Sequence, residues 1–537
     1  MSDEQYKGLL FEILSFLYSN FSNDDIAKII CELKFLCKKE INNNVVVAKN
    51  LYENIQTKLS SFNEVKDNRK SLGAYYTPID IINFMLKNAL KQIYNFNDID
   101  ISNIKLNDDD KKDFALNKSV FDPSCGNGEF LLYIFEQKHM MYKIDDPLKI
   151  LKTIFANDID KTAVFITKIR LFLAVLHYFG TSKIKGVAEI LNKNITNFNF
   201  FDMNNNKKYD IIIGNPPYIE FQKAENKPKE NMGNIYAIFL SYSANLLKSN
   251  GIMAFIIPIS YISTKRMAIV RNKLNSILKT QVIYSFADRP DCLFAKVHQK
   301  LNIFIGKNDI KKELRIFTSA YKYWYKDERK EIFDNIEIVK NNFIMNDFIA
   351  KLGNEIESSI YKKIISKKAK ISDFLSTNGD YDIFLNMRAS FWVKAFLNFQ
   401  NSREYKNIKC DSMEGQFLLY CLFNSSLFWF FWICVSDCWH ITSKELELFK
   451  IPNNIKKENI NLCKKLGKNL IIKLEKTKKF IGSKQTDYEY KHKFCLKEIN
   501  EIDDLVAVLY DLNNEENSYI KNFAIKYRTS GEVSCIA

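Results

Sequence analysis

Tyr209-Asp210-Ile211-Ile212-Ile213-Gly214-Asn215-Pro216-Pro217-Tyr218 is an apolar run that stops abruptly in an amide, two prolines and an aromatic ring. A short apolar run bounded by Gly and Pro reads as a buried strand, and the residues after it as a chemical site at that strand's C-terminal end. Asn215 offers a side-chain acceptor, Pro216 a carbonyl whose direction is fixed by rigid φ angles, and Tyr218 a face on which a planar ring stacks. Two acceptors and a stacking ring describe a pocket for an amino group on a flat heterocycle. The bland alternative is a stiff Asn-Pro-Pro turn.

Outward from this run, residues 70 to 310 alternate short apolar runs with longer amphipathic stretches: Ser119–Phe121, Ile154–Ala156, Tyr209–Ile213, Gly251–Ile257, Val282–Tyr284 and Leu301–Ile305. This alternation predicts a parallel-rich sheet with helices on both faces and ligands beyond the strands' C-terminal ends. Val120-Phe121-Asp122-Pro123-Ser124-Cys125-Gly126-Asn127-Gly128-Glu129-Phe130 is a strand running into a Gly-x-Gly turn and a helix. Its glycines let backbone approach a ligand closely. The third glycine of a pyrophosphate fingerprint is replaced by Leu131, so the ligand need not be a dinucleotide. The next strand ends in Asn157-Asp158-Ile159-Asp160, where an acid holds a ribose diol. Asp158 is preferred over Asp160 because the alternation turns Ile159 the other way. Asp202 is placed at the end of a further short strand, where it accepts from an adenine amino group or merely closes a turn. Thr77, in Gly73-Ala74-Tyr75-Tyr76-Thr77-Pro78, is a natural N-cap for the helix that follows, or faces a carboxylate.

The flanks differ. Residues 1–68 carry helical periodicity (Leu9, Leu10, Ile13, Leu14, Leu17, then Ile26, Ile29, Ile30, Leu33, Leu36) and read as a helical cap. Residues 313–455 lose the alternation and interleave rings with bases, as in Tyr321-Lys322-Tyr323-Trp324-Tyr325-Lys326 and the cluster Lys362, Lys363, Lys367, Lys368, Lys370. Residues 456–537 return to Lys-rich helical periodicity. At 537 residues several domains are expected, and 78 Lys and Arg against 63 Asp and Glu give a net +15 that favours a polyanionic partner. Eleven scattered cysteines without a Cys-x-x-Cys pair fit reduced thiols in a cytoplasmic protein and no metal site. Phe417–Val435 has membrane length, but Asn424, Ser425 and Ser426 interrupt it, which predicts buried core and no membrane partner.

In this order the pieces resemble the gamma-arrangement N6-adenine DNA methyltransferases of restriction-modification systems, over about residues 70 to 310. The resemblance implies a Rossmann-like methyltransferase domain at 69–312 that uses S-adenosylmethionine. It implies that Thr77, Asp122, Gly126, Gly128, Asp158, Ile159 and Asp202 hold that cofactor. Asn215, Pro216, Pro217 and Tyr218 then form the catalytic loop for a flipped adenine in double-stranded DNA, with Phe304 as a second stacking ring. Asn424–Trp429, Ser436–Ile441, Leu448–Pro452, Ile502–Val506 and Leu509–Leu512 look like the α+β target-recognition domain and C-terminal helices of fused type IIG enzymes. The nuclease of those enzymes is not read in residues 1–68, so a separate restriction endonuclease is the expected partner. The competing readings are a protein glutamine N5-methyltransferase, which poses the same problem at an amide nitrogen, a catalytically idle DNA-binding specificity subunit, and an N4-cytosine enzyme.

Overall fold

The structure is a computed structural model that describes residues 13–14, 16–17, 21–37, 52–61, 77–94, 106–202, 207–224, 228–295, 297–309, 313–334, 336–345, 347–483 and 486–531. Leu9, Leu10, Gly73, Ala74, Tyr75, Tyr76 and Met203 lie outside the described residues. The chain forms two compact units. The first comprises Met1–Tyr261, Arg266–Ile283 and Leu293–Ile316, and the second Ile262–Lys265, Tyr284–Cys292 and Phe317–Ala537.

The first unit is mixed α/β around a mostly parallel sheet. Its strands are β1 (Val120–Asp122), β2 (Ile154–Asp158), β3 (Ile195–Asn197), β4 (Tyr209–Gly214), β5 (Leu247–Pro258), β6 (Thr280–Phe286, running into the second unit's residues) and β7 (Leu301–Lys307). They lie in the order β3-β2-β1-β4-β5-β7-β6. β3 to β5 pair in parallel, and β7 runs antiparallel to β5. Strands buried on both faces must be apolar at every position, which is why Ile211, Ile212 and Ile213 are all fully buried. From β1 the chain proceeds outward through β2 and β3, then returns to β4 on β1's other side. This reversal opens a crevice beyond the C-terminal ends of β1 and β4, the usual ligand position in such sheets.

Around the sheet lie α1 (Asn23–Cys37), α2 (Tyr52–Ser61), α3 (Ile79–Tyr94), α4 (Glu129–Met141), α5 (Lys161–Phe179) and α6 (Ile235–Asn245). The periodic Ile26, Ile29, Ile30, Leu33 and Leu36 of α1 are buried. α5 is long and apolar enough to cross a membrane, but most of it is packed inside the first unit.

The second unit has a three-stranded antiparallel sheet (Ala395–Phe396, Tyr381–Asn386, Tyr405–Cys410) and helices α7 (Met413–Asn424), α8 (Ser426–Val435), α9 (Lys457–Thr477) and α10 (Leu496–Leu509). Phe417–Val435 is thus two helices, bent by 65° at Ser425 and buried throughout. Ser425 stops one helix and caps the next, its Oγ accepting from Phe428 N at 3.2 Å. Asp503 of α10 accepts from Ser426 N at 2.8 Å, and Tyr510, which caps the end of α10, donates to Lys450 O at 2.8 Å, so α10 and its cap are stitched to α8 and to the strand at Lys450–Ile451. The rings of Tyr321, Tyr323 and Trp324 are buried. They are core of this unit. Lys363 is likewise paired with Glu516 and Lys367 with Asp511.

Candidate active site

Three loops meet the crevice of the first unit. The loop after β1 begins with Asp122, 1% exposed, whose Oδ1 accepts from Ser124 N at 3.0 Å. Its Oδ2 is buried with no hydrogen-bond partner among the described residues. Burial, reinforced by the neighbouring Asp158, pushes the Asp122 carboxyl up to about 8. Gly126 (φ 51°) and Gly128 (φ 84°) adopt the left-handed backbone that lets the chain turn tightly into α4. A side chain at Gly128 would come within 2.8 Å of Thr167, whose hydroxyl donates to Gly126 O at 2.8 Å.

The loop after β2 supplies Asp158. Its Oδ2 accepts from Gly126 N at 2.9 Å and its Oδ1 from Asp160 N at 2.8 Å, so the acid ties the two loops together. Burial raises its pKa to about 6 against the pull of those bonds. Asp160 caps α5 through Thr162 N at 2.8 Å, so its side chain is engaged by the helix. Ile159 is 53% exposed, an unusual position for an isoleucine. Asp202 is not at a strand end. β3 stops at Asn197, Asn199 bends the chain by accepting from Phe201 N at 3.3 Å, and Asp202 sits exposed in the resulting 3-10 turn, bonded to Asn199 Nδ2 at 3.0 Å.

The loop after β4 begins at Gly214, where a Cβ would stand 2.6 Å from Asp122 Oδ1. This crowding brings the ends of β1 and β4 into contact. Asn215 donates from Nδ2 to Thr77 Oγ1 at 3.2 Å. Thr77 is buried and does not cap α3, which starts with Pro78 O accepting from Ile81 and Ile82. Its hydroxyl orients the Asn215 amide instead. Pro216 is buried, Pro217 and Tyr218 half-buried. Tyr218 donates to Ile256 O at 2.9 Å, and its ring stands edge-on to Tyr236, 6.4 Å between centroids. Beyond Tyr218 the loop is bound to the start of α6 by Ile235 N to Ile219 O at 2.8 Å. Phe304 is fully buried in mid-strand, opposite Phe255 and edge-on to Tyr261. A ring with no exposed surface offers no face to an incoming base in this arrangement.

Residues 152–292 match the family model of the Eco57I restriction-modification methylase. That methylase match contains β2 to β6 and the whole Asn215 loop, while Phe304 falls outside it. RM.MjaORFECS2P of Methanocaldococcus jannaschii, named as a type II restriction enzyme and methyltransferase, is 30% identical over 166 residues, which are 24% of this chain and 14% of that protein. The type II methyltransferase M.AccI of Acinetobacter calcoaceticus is 24% identical over 305 residues, 54% of this chain and 44% of that one. The chain thus spans less than half the length of each of these two relatives. Among solved structures, the type IIL restriction-modification enzyme MmeI in complex with DNA shares the fold, with a TM-score of 0.56 at 13% identity over 91% of this chain and 83% of that chain.

Several residues that shape this site carry little sequence signal of their own. Thr167 and Arg170 look like ordinary positions on an apolar helix, yet both bond to the glycine loop. Phe198 is 60% exposed on the turn beside Ile159, its backbone bonded in both directions to the buried side chain of Asn157 at 3.0 and 3.1 Å. Gly214 could have been found, since a glycine ending a strand often marks a close approach of two chains.

Proposed function

We propose that the chain is a site-specific DNA methyltransferase that moves a methyl group from S-adenosylmethionine to the N6 amine of a flipped adenine in double-stranded DNA. The observation that carries this reading is the Asn215–Tyr218 loop at the switch point of the sheet, packed against Asp122 at Gly214 and oriented by Thr77, with Asp158 tied to the same Asp122 loop through Gly126. The match of residues 152–292 to a restriction-modification methylase and the relatives' names support it. So does the net charge of +15. In this reading the chain is the modification component of a restriction-modification system in the cytoplasm, with a separate endonuclease as partner. Residues 69–312 do the chemistry, between a helical cap and a target-recognition domain at 313–455 with its C-terminal helices.

The residues present fit the cofactor. A buried carboxyl oxygen without a partner among the described residues, close to a second acid, suits a ligand that brings positive charge and hydrogen-bond donors. S-adenosylmethionine has a sulfonium, an ammonium group and a ribose diol. Asp122 and the Gly126–Gly128 backbone would hold its amino-acid end, Asp158 its ribose, and Ile159 and Asp202 its adenine, with Thr77 at the loop junction. When bound it supplies an already activated methyl group, so the protein's task is orientation and electrostatics.

Asn215 and the Pro216 carbonyl accept the two N–H groups of the target amine, drawing its nitrogen towards a tetrahedral geometry in which the lone pair is available. Thr77 fixes which way the Asn215 amide faces. Tyr218 stacks on the extrahelical base, and the bond from its hydroxyl to Ile256 O keeps the ring in place. Flipping costs a few kcal/mol, offset in part by that stacking.

The test is incubation of the purified chain with labelled S-adenosylmethionine and either duplex DNA or protein extract. Label on adenine in DNA is expected, and Asn215→Ala should lower the rate by about 10² to 10³ with cofactor binding intact. Label confined to protein would establish the glutamine enzyme instead.

A further inference from the structure

The glycine loop is held from behind by the N-terminal helical region. Gln56 of α2 and Arg170 of α5 form a reciprocal pair: Gln56 Nε2 donates to Arg170 O at 3.0 Å, and Arg170 Nε donates to Gln56 Oε1 at 3.0 Å. The Arg170 guanidinium, 3% exposed, donates onward to Asn127 O at 2.7 Å and pairs with Glu129 in the first turn of α4, its NH2 group 3.1 Å from Oε2. Asn127, the residue between the two glycines, returns the contact by donating from Nδ2 to Ser60 O at 2.8 Å at the end of α2. With Thr167 on Gly126 O, the carbonyls of both Gly126 and Asn127 are fixed by α5, and the Asn127 side chain is fixed by α2.

Such bracing has a physical consequence for a ligand. A Gly-x-Gly segment loses more conformational freedom on ordering than any other, and a loop left to order itself on binding subtracts that cost from affinity. A buried arginine is also expensive unless its charge and donors are met, which Glu129, Gln56 and the Asn127 carbonyl do here. The network therefore couples the N-terminal helix to the shape of the loop.

We propose that Gln56, Asn127 and Arg170 are positioning residues for the cofactor loop, so that helix α2 is part of the S-adenosylmethionine site and not a separate module. The inference rests on the cofactor reading given above. Its test uses the full chain, with S-adenosylhomocysteine binding measured by calorimetry, thermal unfolding measured alongside, and rates measured with S-adenosylmethionine and duplex DNA varied in turn.

Asn127→Ala should weaken S-adenosylhomocysteine binding about tenfold and raise KM for S-adenosylmethionine by a similar factor, with kcat and KM for DNA within about twofold. Gln56→Ala, remote from the loop, should weaken it about threefold, and the double variant should lose less than the product because both act on one network. If Asn127→Ala does not fold, Gln56→Ala carries the same expectation. A lowered unfolding midpoint with unchanged affinity is the signature of a purely structural contact and overturns the proposal while leaving the cofactor reading intact. A fall in kcat with KM unchanged overturns it equally. Failure of the wild-type chain to bind S-adenosylhomocysteine overturns both readings together.

Discussion

The Asp122–Gly128 loop of the first unit and the Phe417–Val435 helices of the second are built on opposite terms. The loop keeps a buried carboxyl oxygen without a partner among the described residues, two left-handed glycines and a neighbour, Gly214, with no room for a side chain. The helices bury every side chain, most of them Phe, Trp or Leu, and their polar interruption is bonded, Asn424 to Tyr420 O at 3.0 Å and to Ala395 O at 3.2 Å. The first arrangement sacrifices stability and gains where a ligand arrives, whereas the second has stability as its whole purpose. Substitutions in the loop should therefore show in affinity and pH dependence, and those in the helices in unfolding alone.

Trp429→Ala should have the largest effect, removing a ring 1% exposed that bonds to Ser390 O at 2.9 Å. A loss of about 3 to 5 kcal/mol in denaturant unfolding is expected, with ligand affinity of the folded chain unchanged. Next comes Asp122→Asn. The folded Asp122 carboxyl titrates at about 8, above its ordinary value near 4, so its stabilising contribution is complete below that ordinary value and is lost as pH rises through about 8. The unliganded wild type should lose roughly 3 kcal/mol relative to Asp122→Asn between pH 5 and pH 8, measured by unfolding at each pH. A flat difference would remove the contrast between the two regions.

Gly128→Ala sharpens the same contrast, since φ 84° and the 2.8 Å approach to Thr167 both oppose a side chain. A cost of about 1 to 3 kcal/mol is expected, with a larger loss in cofactor affinity than in the unfolding midpoint. Tyr218→Phe removes the bond to Ile256 O and should cost about 1 kcal/mol, read as slower methyl transfer with unchanged cofactor binding. Smallest is Lys367→Ala. Its partner Asp511 is largely exposed, so the change in stability should stay within about 1 kcal/mol.

What was legible in the sequence follows the range over which each signal acts. The parallel strands announce themselves because burial on both faces demands continuous apolar runs, and the order of Asp122, Asp158 and Asn215 along the chain follows from the strands that end in them. Thr77 reads locally as a cap because a helix follows, while its partner Asn215 comes from a distant strand that no local rule reaches. Asp202 is displaced because Asn199 turns the chain before a strand can form there. The alternation of rings and lysines at 321–326 has two physical solutions, an exposed reading surface or a strand end packed inward, and the buried neighbours of Tyr321, Tyr323 and Trp324 select the second. Phe304 is hidden by the antiparallel neighbour β5, whose pairing register with β7 is not encoded in either strand alone.

The stitching of the chain's last stretch onto the second unit sets a timetable for its synthesis. Arg528 lies between Trp392 and Trp429, at 4.0 and 4.4 Å from their ring centroids, and donates to Phe391 O, while Asp503 holds the start of α8. Helices α7 and α8 therefore leave the ribosome well before the residues that cover them. At about 5 to 20 residues per second, the aromatic surface waits on the order of 5 to 20 seconds for Arg528 to follow Val435. During that interval the segment has its upstream partners, Tyr323, Tyr361 and Ser390 among them, but lacks the cover that Asp503 and Arg528 supply. A message truncated shortly before codon 528 should consequently yield aggregates held by chaperones, even though every residue of the first unit has been made.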